Sequence, residues 1–238
     1  EVSDSYRKEP IHVEAINPER LVEPQHGDSV ASTIQNNVDE IRRAKGIPSL
    51  NHPNFHWAIT IEDMLALKNL GLFEVYNGHP MVNNDGGGGF ASPDEMWDAL
   101  LTGGQRLYGI AVDDAHVFKR FGKEYSNPGH GWIQVRADAL TTDSILVAIE
   151  NGDFYASTGV TLRDVAVTDA EYRIEVAADA RWEEKTTTYF IGHGGKILLK
   201  TFDNPAVYQF TGNEKYVRAR VDSSGGAKAW TQPVFRGR

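Results

Sequence analysis

Asp114 and His116 stand two residues apart, just past a short apolar run from Leu107 to Val112. Residues two apart on a strand project from one face. The spacing therefore predicts a carboxylate and an imidazole converging at a strand's C-terminal end, where α/β folds keep their chemistry. Such a pair suits a metal ion or a polarised water. Three more histidines follow the same plan. His12 lies in an alternating run from Pro10 to Asn17, and His52 and His79 directly follow predicted strands at Ile47–Asn51 and Leu72–Asn77. In a parallel barrel such strand ends ring one mouth. A lone strand histidine is more often a hydrogen-bonded rim residue. It is the coincidence of four that points to a metal site. His56 is a candidate substrate contact and His130 a mouth-lining one, while His26 reads as a loop residue and His193 as structural.

The chain has no cysteine, which excludes thiolate zinc sites, disulfides and a cysteine nucleophile. A metal must then sit on histidine and carboxylate ligands, a set that suits zinc, manganese or iron. The glycine run from Gly86 to Gly89 matches no phosphate-cradling motif and reads either as a mobile lid or as a loose loop. No Gly-x-Ser-x-Gly elbow occurs. Of the tryptophans, Trp97, Trp132, Trp182 and Trp230 read as core, with Trp57 the candidate exception beside the His52 turn.

Helices and strands must position these side chains. Ile34, Val38 and Ile41 recur at helical spacing within Val30–Lys45, and Gly46 stops the pattern. Thr60 predicts a helix start with its end at Gly71, and Ser92-Pro93-Asp94-Glu95 is a strong start for a helix ending at Gly103-Gly104. Thr142 caps a last helix, Asp143–Asn151, before Gly152. Beyond Thr158 only strand-like runs follow, such as Tyr172–Val176, Thr187–Ile191, Ile197–Thr201 and Tyr216–Val221. The expectation is an α/β portion over residues 1–155 and a small all-β, sandwich-like domain over 156–238.

The 238 residues carry a net charge of -9 and no basic block, so a nucleic-acid partner is not expected. No apolar run is long enough to span a membrane, and no signal peptide is present in these residues. A soluble protein, exported or not, acting on a small molecule is the expectation. The chain starts at Glu1 rather than Met, which suggests that something upstream was removed.

The pieces Pro10-Ile-His12-Val, Leu50-Asn-His52-Pro53, Phe73-Glu-Val-Tyr-Asn77-Gly-His79 and Gly109-Ile-Ala-Val-Asp-Asp114-Ala-His116 come in an order that resembles the PHP (polymerase and histidinol phosphatase) superfamily. The branch of carbaryl-type carbamate hydrolases is the most similar, and the tail, with Gly152-Asp-Phe-Tyr-Ala-Ser157 and Ala229-Trp-Thr-Gln-Pro233, resembles it too. The resemblance implies a distorted β/α barrel with two or three metal ions at its mouth. By it Glu1, His12, His52, Asp114 and His116 would be ligands, and His79 would sit beside them as a substrate or supporting group. The His-x-His strand and the Asp-His strand that open the family's barrel are not in these residues. The expectation is thus an N-terminally incomplete barrel, with fewer ions than in relatives and a partner segment or oligomer completing it. The function implied is metal-assisted hydrolysis of a phosphoester or of a carbamate, amide or ester, with His79 or His56 as proton donor. The alternative is a noncatalytic module binding a carbohydrate or protein on a decayed barrel.

Overall fold

The structure is a computed structural model describing residues 1–177 and 185–236, so Trp182 lies outside the described residues. It divides into two compact units, Glu1–Pro128 and Gly129–Arg238.

The first unit is built on one open sheet. Its strands are β1 (Val2–Tyr6), β2 (Glu9–Ile16), β3 (Ile47–Leu50), β4 (Leu72–Asn77) and β5 (Tyr108–Val112), lying side by side in chain order. β1 and β2 form an antiparallel hairpin, and β2 also pairs antiparallel with β3. Only β3–β4 and β4–β5 are parallel. Strand alternation explains the faces. Val2, Asp4, Ile11 and Val13 are buried on one side, while Ser3, His12 and Glu14 project to the other.

Helix α1 (Val30–Arg43) packs on β1, β2 and β3. Ser29 caps it reciprocally with Ser32, and Ile34, Val38 and Ile41 are its buried stripe. Helix α2 (Ile61–Leu65) starts at the Thr60 cap but ends well before Gly71. The side chain of Gln105 takes the carbonyls of Leu65 and Leu67, and Gln35 binds both backbone groups of Lys68, so side chains replace the next helical turn. Helix α3 (Pro93–Thr102) begins at the Ser92–Glu95 capping box and packs on β4. Its fully buried Trp97 donates Nε1–H to Leu107 O at 3.1 Å.

In the second unit β6 (Trp132–Val135), helix α4 (Thr142–Asn151) and β7 (Phe154–Ser157) precede a three-stranded meander. That meander is β8 (Leu162–Val167), β9 (Glu171–Val176) and, later in the chain, β12 (Ala206–Gln209), in the order β12-β9-β8. β10 (Thr186–Gly192), β11 (Lys196–Thr201), β13 (Tyr216–Ser223) and β14 (Lys228–Thr231) extend β6 and β7 into a sheet ordered β11-β10-β13-β14-β7-β6, with β15 (Val234–Phe235) on β13. Leu162, Tyr172, Ile174 and Tyr208 of the small sheet share one core with Phe190, Val217, Ala219 and Val221 of the large one. α4 starts at a Thr141 cap, one residue before the expected one, and closes on left-handed Gly152 (φ +77°).

The expected β/α barrel, complete or truncated, is not there. Strands outweigh helices, and the three sheets of the described residues are all open. A βα barrel needs a parallel strand followed by a helix at every step. Here the first unit opens with a hairpin whose second strand runs against β3. With the barrel goes the ground for expecting a segment that completes one. Residue 155, the expected domain limit, lies within β7, and the first compact unit ends at Pro128. Among the described residues no helix is long and apolar enough to cross a membrane.

Candidate metal centre

The antiparallel course of β2 places His12 in mid-strand yet beside the C-terminal end of β3. Asn51 N–H donates to His12 O at 3.1 Å, and His52 is the next residue. Ser3 is the register partner of His12 on β1, and Glu1 lies two residues before it on the same face. Glu1, His12 and His52 thereby bring one ligand atom each within 4.8 Å of one another. His12 Nδ1 is 3.3 Å from His52 Nε2 and 3.3 Å from Glu1 Oε1. Donors about 2.0–2.1 Å from a tetrahedral zinc lie about 3.3 Å apart. The donor types and their spacing therefore fit a divalent ion.

The surroundings prepare these donors. Ser3 Oγ–H donates to Glu1 Oε1 at 2.8 Å and Asn51 Nδ2–H to Glu1 Oε2 at 2.8 Å. Burial works to raise the Glu1 carboxyl, but these two hydrogen bonds and the charges of His12 and His52 outweigh it, so the group stays ionised below its usual range. Burial lowers His52, as does the charge of His12, against the pull of Asp114 and Glu1. A neutral imidazole with a free lone pair is the form that binds metal.

Glu74, mid-strand in β4 and 4% exposed, links this cluster to Asp114. Its Oε2 accepts from His52 N at 2.7 Å and from Asn77 Nδ2 at 2.8 Å, and Asn77 Nδ2 also lies 3.3 Å from Asp114 Oδ2. Burial pushes the Glu74 carboxyl up to about 8; the Asn77 and His52 hydrogen bonds oppose that rise, and Asp114 and Glu1 add to it. Asn77 Oδ1 in turn accepts from His79 N at 2.8 Å. One buried amide thus touches two of the strand-end segments and, through Glu74, reaches the His52 turn.

His79 and His116 meet edge to face, with ring centroids 5.5 Å apart. Their backbone neighbours assign them opposite tautomers. Met81 N–H donates to His79 Nδ1 at 3.2 Å, which leaves the His79 proton on Nε2. His116 Nδ1–H donates to Asp114 O at 2.8 Å, which leaves a lone pair on its Nε2. His56 is exposed and stands one ring away from the cluster: it contacts the Phe55 ring at 4.3 Å, and Phe55 contacts His52 at 5.3 Å.

The backbone is left-handed at His52 (φ +22°), His56 (φ +56°), Trp57 (φ +58°) and Asp114 (φ +48°). Non-glycine residues adopt this region at a cost, and such positions cluster at functional sites. The Gly86–Gly89 run is a closed turn, in which Gly87 and Phe90 exchange backbone hydrogen bonds at 2.9 and 3.0 Å. It sets Phe90 flat on Trp57, ring centroids 4.4 Å apart. Asn54 Nδ2 ties the His52 turn to this segment through Asn83 O at 3.0 Å and Ala91 O at 2.9 Å.

The structure thus joins Glu1, His12 and His52 in one cluster and Asp114, His116 and His79 in a second, with Glu74 and Asn77 between. Sequence reasoning missed Glu74, Asn77, Ser3 and Asn51. Glu74 carried a signal, a carboxylate inside the apolar run Leu72–Val75. No family model, curated protein or solved structure matches this chain.

Proposed function

We propose that the chain is a metal-dependent hydrolase acting on a small phosphoester or on a carbamate, amide or ester. The convergence of Glu1, His12 and His52 at ligand spacing carries this reading, and the motif resemblance to the PHP superfamily supports it. These three residues would hold a zinc, manganese or iron ion. When bound, such an ion lowers the pKa of a coordinated water and polarises the scissile bond.

The other groups act from the opposite side of the Glu74–Asn77 link. Asp114 Oδ and the His116 Nε2 lone pair offer an acceptor pair that would hold a second ion or orient a water. His79, with its proton on Nε2, donates it to the departing oxygen or nitrogen. The exposed His56 would contact bound substrate.

Elemental analysis of the purified chain and of His12→Ala and His52→Ala variants tests the metal reading. The expected result is bound divalent metal in the wild type and its loss in both variants, with wild-type hydrolysis of an aryl phosphate or aryl carbamate. Equal metal content in all three proteins overturns the site. Metal binding without hydrolysis of either ester class overturns the enzyme reading and leaves a binding module.

A further inference from the structure

The nine residues Val117–Tyr125 follow His116 as a loop fixed from within. Asn127, 3% exposed, donates from Nδ2 to Val117 O at 2.7 Å and to Arg120 O at 2.8 Å, and accepts from Gly122 N at 3.1 Å. Ser126 O takes the N–H groups of His116 and Val117, both at 3.0 Å. A freely flexing loop could tuck apolar side chains away. This one holds Phe118 at 63% and Phe121 at 72% exposure. Lys119, Arg120 and Lys123 are exposed beside them. Glu124 is the one acid of the stretch, folded back against Gly122.

We propose that this loop docks the protein on an anionic lipid surface. Bulky apolar side chains next to Lys and Arg are the composition that enters the headgroup boundary. The stretch carries two lysines, Lys119 and Lys123, a residue type depleted from protein interfaces. The net charge of -9 does not cancel the effect, because charges farther than about 8 Å are screened at physiological salt and the surface meets the loop first. Each basic residue near an anionic leaflet contributes about fivefold in affinity. The inference is independent of whether the metal centre is catalytic.

Sedimentation of the full chain with phosphatidylserine–phosphatidylcholine vesicles, against phosphatidylcholine alone, is the test. Two variants accompany it, Phe118→Ser with Phe121→Ser, and Lys119→Gln with Arg120→Gln and Lys123→Gln, each checked for unchanged circular dichroism. The expected result is binding to the anionic vesicles only, weakened by salt, lost in the phenylalanine variant and reduced about a hundredfold in the charge variant. Failure of the wild type to bind overturns the proposal, and so does binding that survives both variants. Binding kept by the phenylalanine variant and displaced by inorganic phosphate also overturns it, and marks a soluble anion as the ligand.

Discussion

The Glu214 carboxylate accepts from Tyr208 OH and Thr211 Oγ1 at 2.7 Å, from Thr211 N at 2.8 Å and from Gly212 N at 3.0 Å. Burial alone would raise its pKa, but the hydrogen bonds from Thr211 and Tyr208 overcome that and bring it down to about 2. Tyr208 answers in the other direction, pushed up to about 12 by burial and by its bond to Glu214. A depressed carboxyl contributes stability that is fully present above its ordinary 4.5 and is lost as pH falls toward 2. Thermal melts of Glu214→Gln should therefore lie below wild type at neutral pH, with the gap closing between pH 4.5 and about 2. A constant gap would show that the turn does not depend on the charge. Legibility at this scale depends on whether a residue acts alone. His12 and His52 were readable as candidate donors because donor type is a property of the residue, whereas Glu1 came in only through the family resemblance. The roles of Asn77 and Asn51 were not, because an amide's partners are set by distant strands.

Elements show where local chemistry suffices and where it does not. α1 and α3 were legible because caps and apolar spacing lie within a few residues of each other. α2 was overestimated, since the side chains that end it come from Gln35 and Gln105, far away in sequence. Some strands, such as β2, β4, β5 and β13, were readable from alternation or apolar runs, but others, such as β7 and β8, were not, and strand direction was not readable at all. The antiparallel pairing of β2 with β3 has no sequence signal, and it is what turned an expected barrel into an open sheet. β1 was missed because Ser3, Asp4 and Ser5 give it a polar composition. The packing of α3 on the sheet has a direct test. A Cβ on Gly109 of β5 would stand 3.0 Å from two ring carbons of Trp97, whose ring is pinned by its bond to Leu107 O. Gly109→Ala should cost about 1–3 kcal/mol by overpacking, read as a lower urea midpoint at unchanged slope. An unchanged midpoint would mean that α3 can shift outward freely.

On the scale of the whole molecule, charge and histidine content act together. The chain carries -9 with its histidines neutral, and protonating all eight would remove nearly all of that charge. Electrostatic repulsion between copies should then fade near pH 5.4. Turbidity against pH is expected to peak there and to fall on either side. A flat profile would mean that net charge does not govern solubility here. The left-handed residues His52, His56, Trp57 and Asp114 bear on how such a chain can be improved. Each holds a conformation costing roughly 1–2 kcal/mol for a residue with a Cβ. Glycine at His56 is thus a route to a hardier protein that leaves every candidate metal ligand in place, whereas at Trp57 it would forfeit the ring stacked on Phe90. The same exchange at His52 or Asp114 gains stability only by deleting a donor. A selection for heat tolerance and a selection for ion binding would therefore favour different residues at neighbouring positions of the same turns.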